Sequence, residues 1–227
     1  MRRRDRLSVL GLLAAVAAPA SAQELGHGGV TSVFGPGDEK VLAVPSDAEV
    51  MAAAPQGRKP QGSAVMHCKA AASGALTDCQ LTLARGAGFG AALLSLAPKY
   101  RVVLPQGADE DRDVVITASW PVPDTPADWR VEPKAGDFSI SYTDAAWRSG
   151  KPGYAVMNCQ QGTLGDLRQC MAVYQNPPGK GFGTMLLAFQ SYLKLKPATL
   201  DGKPISSAVN VGFHFAAHLP GERGALP

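Results

Sequence analysis

The cysteines and histidines are the residues of this chain with the clearest chemical potential. Four of each occur among 227 residues. Cys68 and Cys79 stand eleven apart, and so do Cys159 and Cys170. His67 precedes Cys68, which invites an imidazole-activated thiolate. Adjacent residues of a strand point to opposite faces, so that pair cannot meet. Neither cysteine pair has the close Cys-x-x-Cys spacing that lowers a thiol pKa. His214 and His218 are four apart, but His214 reads as a strand residue and no third metal ligand stands near it. Gly86-Ala87-Gly88-Phe89-Gly90 looks superficially like a phosphate-cradling loop. It lacks the Lys-Ser/Thr of that motif and reads better as a strand-to-helix turn. No Gly-x-Ser-x-Gly elbow occurs. The expectation is a chain that is not an enzyme, with no catalytic residue, metal site or cofactor, whose cysteines form disulfides.

The same residues belong to a longer repeat. Ala64-Val65-Met66-His67-Cys68 returns as Ala155-Val156-Met157-Asn158-Cys159, each followed by a second cysteine and then by Gly-x-Gly-Phe-Gly, at Gly86–Gly90 and Gly179–Gly183. A repeat of this kind predicts one small module made twice. Alternating runs flank Ala71-Ala72-Ser73-Gly74, which predicts a hairpin. Centring its turn between Ser73 and Gly74 sets Cys68 opposite Cys79, Met66 opposite Leu81 and Ala64 opposite Leu83 on one face. The other face pairs Lys69 with Asp78 and His67 with Gln80 and reads as the polar side. In the second copy Cys159 meets Cys170, Met157 meets Ala172 and Ala155 meets Tyr174. Two bridges within the repeats follow, Cys68–Cys79 and Cys159–Cys170, each closing a loop that contributes about 3 kcal/mol. Buried free thiols are the alternative, and export disfavours them.

Phe182, Leu186, Phe189 and Leu193 recur at helical spacing, as do Phe89, Leu93 and Leu96, whose helix Pro98 limits. These apolar stripes should lie on the Met-and-Cys face of each sheet. The final strand places Val209, Val211, Phe213 and Phe215 on one side, and its counterpart in the first copy is Asp113–Trp120. The fold class is α+β: two tandem ββαβ modules, each a small antiparallel sheet with one helix packed on one face. The expected divisions are a signal peptide over 1–22, a flexible arm over 23–40, module 1 over 41–120, a Pro-rich linker over 121–126, module 2 over 127–216 and a flexible tail over 217–227.

The N-terminal segment begins with Arg2, Arg3, Arg4 and Arg6, continues with an apolar core from Leu7 to Ala18, and ends in Ala20-Ser21-Ala22, a small-x-small cleavage site. The core is shorter than the roughly 20 residues a membrane helix needs. The mature chain should start near Gln23, exported by the general secretory route rather than the twin-arginine one. The whole chain holds 22 Lys+Arg against 19 Asp+Glu; without residues 1–22, eighteen of each remain. Its basic pI is therefore no sign of a nucleic-acid partner.

With the elements placed, a resemblance emerges. Gly153-Tyr154-Ala155-Val156, the turn Gly162–Gly165, Leu195-Lys196-Pro197-Ala198, Asp201-Gly202-Lys203-Pro204 and the closing strand Val209–Phe215 together resemble the C-terminal domain of TonB, the periplasmic energy transducer. The cysteine pair and Gly-Phe-Gly resemble a subgroup of that family. The first copy matches in its first two strands and helix. It departs where Leu104-Pro105-Gln106 replaces Lys-Pro-Ala and where Asp-Gly-Lys-Pro is absent around Ala108–Arg112. The resemblance implies a periplasmic domain that binds a protein or peptide partner, such as a segment of an outer-membrane receptor, by strand addition. The implied peptide-binding edge is Val209, Asn210, Val211, Gly212, Phe213, His214 and Phe215. A link to TonB-dependent transport across the outer membrane belongs to that expectation. The chain shows neither an anchor nor a long Pro-rich spacer, so a binding role with no membrane span after cleavage fits better than energy transduction. The alternative is a transducer component held in the inner membrane by an uncleaved N-terminal segment. An unpaired edge could also close a homodimer.

Overall fold

A computed structural model of the protein describes residues 22–25, 31–34, 40–56, 60–103, 112–131 and 143–215. Of the expected signal peptide over 1–22 only Ala22 is among the described residues, and the tail over 217–227, with His218, lies outside them. Chain order gives β1 (Ala22–Leu25), β2 (Thr31–Phe34), β3 (Lys40–Ala43) and α1 (Asp47–Ala53). The first repeat follows as β4 (Gly62–Ala70), β5 (Leu76–Arg85), α2 (Phe89–Leu96), β6 (Arg101–Val103) and β7 (Arg112–Trp120). The second comprises β8 (Asp128–Trp129), α3 (Asp144–Ser149), β9 (Gly153–Gln161), β10 (Leu167–Asn176), α4 (Phe182–Ala188), β11 (Leu195–Lys196), β12 (Thr199–Leu200), β13 (Lys203–Pro204) and β14 (Ser207–Phe215).

The α+β class and the repeated ββαβ core stand as read from the sequence. Two antiparallel four-stranded sheets form, in the orders β2-β7-β4-β5 and β1-β14-β9-β10. Each repeat also carries a short helix before its hairpin and a two-stranded ladder, β3 with β6 or β8 with β11. The helix α1 begins in a capping box, Ser46 with Glu49, which satisfies amides that the first turn leaves open. Phe89, Leu93 and Leu96 are buried along α2 against Met66, Cys68, Val114 and Ile116. Phe182 and Leu186 pack from α4 onto Met157, Cys159, Val211 and Phe213. The second stripe runs past its helix: α4 ends at Ala188, and Phe189 and Leu193 reach the core from the turns that follow.

The Gly-x-Gly-Phe-Gly elements act as strand-to-helix turns. Gly88 and Gly181 begin α2 and α4 at φ 83° and 79°, a region costly for any residue with a Cβ. The phenylalanine after each lies over the first residue of the opening strand, Phe89 over Gly62 and Phe182 over Gly153, where a Cβ would overlap the ring.

Both disulfides form as the repeat implies, Cys68–Cys79 and Cys159–Cys170. The Met66–Leu81, His67–Gln80 and Met157–Ala172 pairings also hold. Two irregularities in each hairpin shift the rest. Ala64 faces Ala84 rather than Leu83, Ala155 faces Gln175 rather than Tyr174, and Lys69 faces Thr77 rather than Asp78. The cause at the inner shift is a residue in the left-handed region beside each second cysteine, Asp78 and Gln169, both at φ 49°. An extra residue there slips the pairing by one.

The face read as polar is the one on which the modules pack. Val65 and Val115 meet Tyr154 and Val156, flanked by Leu83, Val173 and Tyr174. Val65 and Val156 hold equivalent places in the two repeats, as do Leu83 and Tyr174, so the contact is nearly self-complementary. The result is four layers: α2, its sheet, the second sheet and α4. The proline-bearing connection is docked as well, with paired backbone hydrogen bonds between Thr125 and Thr199 at 3.3 and 2.9 Å.

Candidate functional site

The strand that the sequence offers as a peptide-binding edge is β14. Its alternation is as expected: Val209, Val211, Phe213 and Phe215 face the core under α4. Asn210 accepts a hydrogen bond from Asn158 Nδ2 at 2.8 Å, and the His214 ring lies 4.4 Å from that of Tyr154. These side chains are committed to the fold, so only the backbone of β14 is available for recognition.

In the folded chain that backbone, over Val209, Asn210, Val211, Gly212, Phe213, His214 and Phe215, has a strand on each side. β9 runs along one side of β14 and β1 along the other, with Ala22 opposite Phe213 and Leu25 opposite Val211. Further along, Ser119 Oγ donates to the Ala208 carbonyl and accepts from the Ala208 amide, both at 3.2 Å. The segment read as a loose arm is therefore partly strand. Its second piece, β2, pairs with β7 from Thr31–Ala118 to Phe34–Val115. One arm thus supplies the outer strand of both sheets, answering the unpaired groups that an edge leaves exposed. Among the described residues each four-stranded sheet then has an arm strand, β1 or β2, at one edge and a hairpin strand, β10 or β5, at the other. The register shifts in the hairpins bend the β5 and β10 edges, a recognised protection against unwanted pairing.

A second cluster lies between the modules. Asp113, on β7, accepts from His67 Nε2 at 2.8 Å, from Lys69 Nζ at 2.7 Å and, across the module boundary, from Tyr174 OH at 2.9 Å. His67 is therefore directed to a carboxylate, while Cys68 is bridged on the opposite face. Partial burial pushes the Asp113 carboxyl up, but the hydrogen bonds from Lys69, Tyr174 and His67 outweigh it and hold the pKa below the ordinary aspartate value. A carboxyl depressed in the folded state stabilises in full above about pH 4, its unfolded range, and that contribution is lost as pH falls through the lower folded value. Asp113→Asn should cost about 1–2 kcal/mol at neutral pH, discounted for partial exposure. Urea unfolding at pH 7 and at pH 3 checks this: the difference between variant and parent should shrink at the lower pH.

The bridged cysteines mark a protein of an oxidising environment. Among the described residues no helix is long and apolar enough to cross a membrane, and no three His, Cys, Asp or Glu side chains gather as a metal site. The chain matches no protein-family model, no curated protein and no solved structure. Sequence reasoning missed Ser119, Asp113 and the arm strands. Asp113 shows no local pattern, because its partners are distant in the chain. Thr31-Ser32-Val33-Phe34 is too short to register as a strand and lacks the period-two alternation.

Proposed function

We propose that this is an exported, non-catalytic protein that binds an extended segment of a protein partner by strand addition along β14, in the manner of the TonB C-terminal domain it resembles. The observation that carries the reading is the seating of β1: the outer side of β14 already accepts an extended strand. β1 is short, pairs at two positions with an irregularity between them, and covers only part of β14. A partner segment with longer pairing would displace it, because main-chain hydrogen bonds supply the affinity in this mode and alternate side chains the specificity. The periplasm is the compartment that fits the N-terminal segment and the disulfides, and a receptor segment in transport across the outer membrane is the partner class the resemblance favours.

The test compares a chain that begins at Ser21, which keeps β1 whole, with one that begins at Gly26, using a fluorescent peptide covering residues 21–28. The peptide should bind saturably to the shortened chain and at least about tenfold more weakly to the intact one, where the arm competes. The same peptide with Leu25→Pro lacks an amide and should lose binding. Equal binding by the two peptides, or none by either, would remove strand addition at β14.

A further inference from the structure

A cleft of about 610 Å³ opens where the modules meet, at the end of the sheets away from Asp113. Module 1 lines it with Arg85, Ser119 and Trp120, and module 2 with Gln160, Gln169 and Ser206. The volume is that of a small-molecule site. Arg85 is the one charged residue among the described lining. It ends β5 half-buried, with Nη1 donating to Asn158 Oδ1 and Nη2 to the Gln169 carbonyl at 2.8 Å. Both acceptors are neutral, and no described carboxylate pairs with the guanidinium. These bonds fix its plane and leave most of its donors unused. Burial pushes the Arg85 pKa down, as expected for a cation drawn from water without a counter-charge.

We propose that this intermodule cleft binds a small ligand bearing a single carboxylate, with the Arg85 fork receiving the carboxylate and the amides and hydroxyl of Gln160, Gln169 and Ser206 facing the rest of the ligand. The guanidinium plane matches a carboxylate through two parallel N–H···O bonds. One cation offsets one negative charge. The lining has no second Arg or Lys to balance a doubly charged phosphate. The remaining walls are neutral polar groups with Trp120 and Pro121 beside them, suited to a ligand with amide or hydroxyl groups next to its acid. Such an acid is either the C-terminus of a peptide or a small free acid.

Calorimetry on the mature protein decides it with four probes: N-acetyl-trialanine as the free acid, the same peptide as its C-terminal amide, propionate, and inorganic phosphate. Free acids should bind, and the amide should bind at least about tenfold more weakly, the scale for losing hydrogen bonds to a charged group. Acetyl-trialanine tighter than propionate assigns the site to peptide C-termini; equal affinities assign it to small acids. Arg85→Gln should lose the preference for acid over amide, and Arg85→Lys should retain only part of it. Because Arg85 also ties the modules together, Ser206→Trp serves as the second variant. It fills the cleft from an exposed position and should abolish binding without moving the melting temperature. Equal affinity for acid and amide, no binding of either acid, phosphate binding more tightly than both, or full binding by Ser206→Trp overturns the proposal.

Discussion

Phe182→Ala is expected to lower the unfolding free energy by about 3–5 kcal/mol, the range for deleting a fully buried ring. Phe182 is 0 % exposed. It stacks on Phe215 with ring centres 5.4 Å apart and covers Gly153, so its removal empties the junction of helix, first strand and last strand together. The cavity cannot refill cheaply, because Gly153 has no side chain to move into it and Gly181 fixes where α4 starts. Urea unfolding followed by far-UV circular dichroism measures the effect; a loss below about 1 kcal/mol would mean that the site collapses around the hole. The opposite error should be felt at the same place. Gly153→Ala drives a methyl into the ring and should cost about 1–3 kcal/mol by overpacking.

The second large effect belongs to the bridges. Replacing Cys159 and Cys170 together by alanine should remove about 3 kcal/mol, from the entropy that the closed loop takes from the unfolded chain. For a chain of this size that corresponds to a melting temperature lower by roughly 6–12 °C. Both sulfurs also sit in the core, Cys159 buried and Cys170 half-buried beneath α4, so the alanines forfeit packing in addition. Thermal melts of the double variant, with the Cys68–Cys79 bridge intact, check the value. An unchanged melting temperature would show that the hairpin registers are held by the sheets alone.

What the sequence discloses and what it conceals divide along physical lines. The cysteine pairing was legible because side chains alternate with period two and the same register satisfied both copies. Phe89, Leu93 and Leu96 were legible because a helical stripe needs no knowledge of distant segments. Lys69 was misassigned to Asp78, since a single left-handed residue reverses the facing of a strand and Asp78 carries no glycine to announce it. The interface between the modules was hidden by its own composition. The face carrying His67 and Lys69 read as the polar side, yet Asn158, which follows Met157 as His67 follows Met66, is 0 % exposed and its polar atoms are met by Arg85 and Asn210. The strand that lies along β14 was not legible because it comes from the other end of the chain. A four-residue strand contributes too little periodicity to be recognised before its partner is known.

The path of the arm, from β14 across to β7, bears on when this protein can finish folding. Its opening strand is the earliest described piece to leave the ribosome, and the partner of that strand is the last. Loop closure across nearly the full chain comes late, because such non-local contacts carry the greatest entropic delay. A truncated product lacking the final strand would therefore keep its first residues dangling, an untied end that a protease can seize. Seating β1 thus reports that translation has run to the C-terminal strand.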